Sequence, residues 1–163
     1  MRSKRWLAIL ALVLAGEAIF FLPFVISRVF RPTFLDVFQL TNLELNTMFS
    51  VYGFVALLSY FAGGPLADRF SARNLMSLAL LATALGGLVL AAVPSQKPLF
   101  FLYAFWGFTT VWLFWAALIR ATREWGGDTT QGIAFGLLDG GRGLVTAIIG
   151  SVMISVYAFL LPE

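Results

Sequence analysis

Gly64-Pro65-Leu66-Ala67-Asp68-Arg69-Phe70-Ser71-Ala72-Arg73-Asn74 is the stretch whose reading decides the fold. It lies between two apolar runs and sets one acid and two arginines within the six positions from Asp68 to Arg73. A solvated turn accounts for such charges, and so does one part of a moving assembly of helices. The flanking runs decide the class first. At 1.5 Å per residue a helix needs about 20 apolar residues to cross roughly 30 Å of hydrocarbon, and both runs are that long.

Of the 163 residues, 60% are hydrophobic and 12% are charged, far too apolar a balance for a soluble domain. The composition is that of an integral membrane protein. The chain has no cysteine and no histidine, which removes disulfides, thiolate metal sites and the imidazole ligand or proton shuttle, so no metal or cofactor is expected. The formal net charge is +3, but the basic residues cluster at the ends of apolar runs. Membrane orientation explains that placement, and no nucleic-acid partner is expected. No nucleophile, base and orienting partner stand together, so an enzyme is not expected either.

Residues 1–163 read as one all-α, polytopic transmembrane helix bundle whose first partner is the lipid bilayer. The first helix covers about 6–27, roughly 33 Å long, and reads as an uncleaved anchor because further spans follow at once. Glu17 lies in its middle, and Pro23 is expected to bend its outer half. Residues 28–46 form an outer connection with room for a short interfacial helix. Thr41-Asn42-Leu43-Glu44 has capping-box spacing and opens the second helix, about 45–67. Along it Ala56, Ser59, Gly63 and Ala67 make a small-residue stripe for close helix approach.

The third helix, about 75–93, carries no charge and reads as a support. After an outer turn at Pro94–Pro98 comes the fourth, about 99–119, dense in Phe, Tyr and Trp. Such residues line a cavity or, more commonly, face lipid and the interfacial belt. Arg120–Gln131 reads as an inner loop. Asp128 and Gln131 have N-cap and N3 spacing, which starts the fifth helix near Thr129 and gives a span of about 130–160. Counting Arg2, Lys4, Arg5, Arg69, Arg73, Arg120 and Arg123 on one side against Arg28, Arg31 and Lys97 on the other places the N-terminus in the cytoplasm.

The fifth helix contains Phe135-Gly136-Leu137-Leu138-Asp139-Gly140-Gly141-Arg142-Gly143. Gly132, Gly136 and Gly140 recur every four residues, and Gly143 begins a neighbouring line through Ala147, Ser151 and Ser155, so close helix packing is expected there. Asp139 and Arg142, three apart, share a face. Counted along their helices, Arg142 lies roughly 15 Å deep and Glu17 roughly 16 Å deep, near the midplane. A charge there costs about 2.5 to 3.5 kcal/mol, so these groups are expected to face protein or a water-filled cavity. Three readings stand. The pair locks the fifth helix to a neighbour; or Arg142 supplies the cation for an anionic solute, with Asp139 or Glu17 holding it or taking a coupling proton; or the register shifts Arg142 toward the inner surface.

With the charged turn between the second and third helices in place, the chain resembles the major facilitator superfamily of secondary transporters. That family's signature there is a glycine, three residues, an Asp-Arg pair, then a glycine and a basic pair. Gly64, Asp68, Arg69 and Arg73 match it, with Ser71 where glycine is usual and Asn74 where a second basic residue is common. The resemblance implies a conformational latch at Gly64, Asp68, Arg69 and Arg73 that biases alternating access. It also implies a permease of the bacterial inner membrane that moves a small organic solute, anionic in charge, with H+ as a coupling ion.

The fifth helix resembles the substrate-lining fifth helix of organic-anion and sugar-phosphate transporters. No arginine lies inside the fourth helix, and the fifth lacks the Gly-Pro signature of drug exporters, which argues for uptake or exchange over drug export. The family has twelve spans in two halves, so this chain looks like the N-terminal part of a permease, inactive by itself and partnered by the remaining helices. The alternative is a small non-transport membrane subunit that acts only through helix–helix interaction.

Overall fold

The computed structural model describes residues 2–160, with side chains from Arg5 onward. Arg2 and Lys4, counted above for orientation, and Glu163 lie outside the described side chains. Five helices are long and apolar enough to cross a membrane: α1 (Arg5–Val29), α3 (Asn42–Arg69), α4 (Ala72–Ala91), α5 (Gln96–Gly126) and α6 (Gln131–Leu160). A short α2 (Arg31–Val37) lies between α1 and α3, and the described residues contain no strand. Helices are the expected response of an apolar chain to a solvent without hydrogen-bonding partners, because each helix satisfies its own backbone.

The element ends follow local chemistry. The Thr41 hydroxyl accepts from the Glu44 amide at 3.2 Å while the Glu44 carboxylate accepts from the Thr41 amide at 2.7 Å, a complete capping box. At the other end α3 continues through Pro65 to Arg69, so Gly64, Asp68 and Arg69 are helical and the turn shrinks to Phe70 and Ser71. Ser71 accepts from the Asn74 amide at 3.3 Å and caps α4, a use for serine that glycine could not supply.

Two expected boundaries move. α5 extends to Gly126 where a loop was expected from Arg120, because Arg120 and Glu124 pair one turn apart at 2.7 Å and Trp125 is held by α1. There the Trp125 indole donates to the Arg5 carbonyl at 2.7 Å and the Arg5 guanidinium lies 4.6 Å over the Trp125 ring. Gly127, at φ 61, ends the helix as only glycine does without strain. Asp128 does not cap α6: the helix opens at Gln131, with the Thr130 carbonyl accepting from Ala134 at 3.0 Å.

Both α1 and α5 contain a wider, π-helical turn. In α1 it spans Phe21–Val25 around Pro23, which has no amide proton to continue the ladder, and the Ile26 amide reaches back five residues to Phe21. In α5 it spans Thr109–Trp115, where the hydroxyls of Thr109 and Thr110 both bond the Trp106 carbonyl, at 3.4 and 2.7 Å. The same hydroxyls tie α5 to its neighbours: Thr109 to Thr83 of α4 at 2.8 Å, and Thr110 to Tyr52 of α3 at 2.6 Å. α4, read from sequence as a bland support, thus carries a buried polar anchor.

Packing separates the small-residue stripes. Ala56, Ser59, Gly63 and Ala67 are buried, and α3 approaches α5 so closely that a Cβ on Gly107 would lie 2.5 Å from the Tyr52 carbonyl. The α6 stripe behaves differently. A Cβ on Gly132, Gly136, Gly140 or Gly143 would meet nothing within 4 Å, so the expected close packing at these glycines does not occur within the described chain. The close approach falls on Gly141, whose Cβ would lie 2.9 Å from Val13. α6 presents its Ala134 and Leu138 face to the bundle, which rotates the glycine line outward.

The aromatic residues of α5 divide between the two expected environments. Tyr103, Trp106 and Phe114 are buried, whereas Phe101, Phe105 and Phe108 point away from the bundle.

Candidate functional site

The crossing of α1 and α6 at Gly16 and Gly141 sets the site. Because Gly16 has no side chain, Arg142 lies across it, with its Cδ 3.0 Å from where a Cβ would stand. From there the Arg142 Nε donates to the Gly16 carbonyl at 3.1 Å. The guanidinium stands 3.7 Å from the Glu17 carboxylate and 3.6 Å from Asp139, and its carbon lies 5.4 Å from the Phe20 ring centre and 5.6 Å from that of Trp115. The structure therefore brings together the three charges Glu17, Asp139 and Arg142.

These contacts leave much of the arginine unspent. A guanidinium has five N–H donors, and the bond to Gly16 is its one hydrogen bond among the described residues. Both carboxylates stand beyond hydrogen-bond distance, so they neutralise charge without occupying donors. They also differ: the Glu17 side chain is 10% exposed and the Asp139 side chain 71%. Glu17 is the enclosed partner, and Asp139 lies on the open face of α6.

Arg142 and Glu17 line a cavity of about 500 Å³. Its wall is aromatic, with Phe20, Phe24, Tyr52 and Trp115, and it extends along α1 as far as Arg28. Such a chamber, apolar with a few convergent polar groups, is the usual form of a small-molecule site. Tyr52 is held by the Thr110 hydroxyl and meets Phe24 edge-on at 4.7 Å, so the wall is built on bonded side chains.

The signature residues occupy a different place. Asp68 lines a cleft of about 370 Å³ between α3 and α5, together with Gly64, Arg120 and Arg123. Asp68, Arg69 and Arg73 are exposed, and none forms an ion pair among the described residues. Arg73 faces another hollow, beside Glu124 and Trp125, so the signature charges do not gather into one cluster.

The residue that grips this end of α3 is Arg120. It donates to the carbonyls of Ala67 and, at 3.4 Å, Phe70, while pairing with Glu124. The positive group satisfies orphan carbonyls at a helix C-terminus. The sequence signal was an Arg and a Glu four apart, hidden because the segment read as a loop. The pairings of Thr83 with Thr109 and of Tyr52 with Thr110 gave no signal at all, since hydroxyls in apolar runs do not reveal their partners.

Comparison with known proteins agrees with this architecture. The sequence profile of the Major Facilitator Superfamily matches residues 6–161. "Inner membrane protein YihN" of Escherichia coli (strain K12) is 29% identical over 159 residues, covering 98% of this chain and 38% of that protein. "Inner membrane protein YqcE" of the same organism is 24% identical over 160 residues, covering 98% and 37%. An "Uncharacterized protein MG294 homolog" of Mycoplasma pneumoniae is 30% identical over 172 residues, covering 98% and 35%. The chain thus spans less than two fifths of the length of these relatives. No solved structure matches it. With a family profile covering nearly the whole chain and five apolar helices, four of which line a charged, aromatic cavity, this chain belongs to the Major Facilitator Superfamily.

Proposed function

We propose that the chain serves a secondary transporter that moves a small organic anion across the inner membrane by alternating access. Family membership points to transport and away from an enzyme, and the relatives named as inner membrane proteins support that location. The N-terminus is cytoplasmic in this reading. The observation that carries it is Arg142: a cation on the cavity wall with one hydrogen bond made and two carboxylates held at a distance. An incoming carboxylate or phosphate finds donors ready without breaking a tight ion pair.

Charge balance supplies the coupling. Glu17, Asp139 and Arg142 sum to minus one, and Arg28 on the same cavity wall brings the total to zero. A proton carried by Glu17 or Asp139 makes the cavity one charge more positive and so favours the anion, and proton and anion travel together. At the other site, Gly64, Asp68, Arg69 and Arg73 act as the latch, with Arg120 anchoring the end of α3 on which they sit.

The test is anion uptake by cells carrying the gene, across a panel of carboxylates and organic phosphates. Arg142→Gln abolishes uptake at unchanged membrane insertion. If uptake of every transported anion survives that change, Arg142 is a tether between α6 and α1, as its bond to Gly16 would also allow, and the subunit reading gains.

A further inference from the structure

We infer that Arg28 is a second anion-binding position, at the opposite end of the cavity from Arg142, and that it receives an oxyanion group of the solute, carboxylate or phosphate. In what it says of the solute this rests on the transport reading above.

Arg28 lines the same cavity as Glu17 and Arg142. Eleven residues along α1 separate it from Glu17, roughly 16 Å of helix rise. It differs from Arg142 in what surrounds it. Arg142 faces two carboxylates, whereas Arg28 has no ion pair and no hydrogen bond among the described residues. Among the described residues it is the cation in this chamber without an ion-pair partner.

Its position is nevertheless built. The Arg28 guanidinium lies 4.9 Å over the Phe24 ring, Phe24 meets Tyr52 edge-on at 4.7 Å, and Tyr52 bonds Thr110 of α5 at 2.6 Å. The attraction between a guanidinium and a ring face uses none of the N–H donors, which stay available to take an oxyanion two bonds at a time. The aromatic wall between the two arginines suits the body of such a solute, with the oxyanion at Arg28.

An arginine near a helix end also commonly meets lipid phosphates, the same chemistry from a different source. This chain has no cysteine, and with any cysteine elsewhere in the full protein replaced by serine, a single introduced thiol separates the two. Thr146, one turn from Arg142 on the cavity wall, is replaced as Thr146→Cys in the full protein, held in phosphatidylcholine nanodiscs with both faces open. Labelling rates are compared for a sulfonate-bearing and a trimethylammonium-bearing methanethiosulfonate. Arg28→Gln is expected to lower the sulfonate-to-ammonium rate ratio about 10-fold, as removal of a charge near 10 Å in a screened interior does. Arg28→Lys restores most of it. Succinate or inorganic phosphate slows sulfonate labelling only when Arg28 is present.

A ratio indifferent to Arg28→Gln overturns the inference, and so does a cysteine that no reagent reaches. Slowing by phosphatidylglycerol discs, with none by succinate or phosphate, gives Arg28 to a headgroup and overturns it as a solute position. The two readings fail separately. Uptake that needs Arg142 with labelling that ignores Arg28 leaves transport standing, whereas Arg28-dependent labelling in a protein that moves no anion removes transport and keeps the anion position.

Discussion

The Arg142 Nε, on α6, donates to the Gly16 carbonyl, on α1, at 3.1 Å across a separation of 126 residues. A carbonyl inside a helix normally serves the amide four residues on, so this bond adds a second acceptor load at the point where the two helices touch. It aims the remaining donors of the guanidinium at the cavity and places Glu17 beside them. If Arg142 binds the solute, binding and helix docking are coupled through one side chain.

Glu17→Gln removes the negative charge but keeps the shape. Anion exchange should persist while the dependence of uptake on an inward proton gradient is lost, because the group is then permanently in its neutral state. Uptake into vesicles at fixed anion gradient, with and without a pH gradient, reads this directly. Continued proton-driven accumulation in the variant would place the proton elsewhere.

Gly141→Val places methyl groups where Val13 already stands, 2.9 Å from the Cβ position, and should lower stability by about 1 to 3 kcal/mol as overpacking does. Gly136→Ala, with nothing within 4 Å, should leave the same protein unchanged within about 0.5 kcal/mol. Thermal unfolding of both variants in one lipid tests the contrast, and equal losses would mean that the glycine line is covered.

Thr110→Val leaves the Tyr52 hydroxyl without its 2.6 Å partner and should cost about 0.6 to 2 kcal/mol. Because Tyr52 also supports Phe24, the same change should loosen the cavity wall. A denaturant midpoint equal to that of the parent would show that the hydroxyl finds another acceptor.

Asp68→Asn should slow transport with little change in apparent affinity if the α3 end acts as a latch. Arg120→Ala should destabilise that end by about 1 kcal/mol, the loss of a cation on C-terminal carbonyls. Initial rates over a range of solute concentrations separate the rate and affinity effects, and a pure affinity change for Asp68→Asn would contradict a gating role.

Much of this was legible before any coordinates, because much of it is local. The five spans follow from apolar run length, and the capping box at Thr41 and Glu44 involves two residues three apart. What misled was equally local. Arg120 to Gly126 read as a loop because charge density was taken for solvation, although Arg120 and Glu124 stabilise a helical turn and Trp125 docks on Arg5.

The sequence by itself determined that five apolar helices exist and that Thr41 caps the second, since hydropathy and capping act within a few residues. Tertiary structure decided which way each helix faces. Rotation of α6 about its axis turned Gly141 toward Val13 and left Gly132, Gly136, Gly140 and Gly143 open. It also put Arg142 on Gly16, and the run of α1 past Pro23 brought Arg28 into the same cavity. Rotation is set by side chains meeting across more than a hundred residues of chain, and a periodic pattern with small residues on several faces does not choose among them.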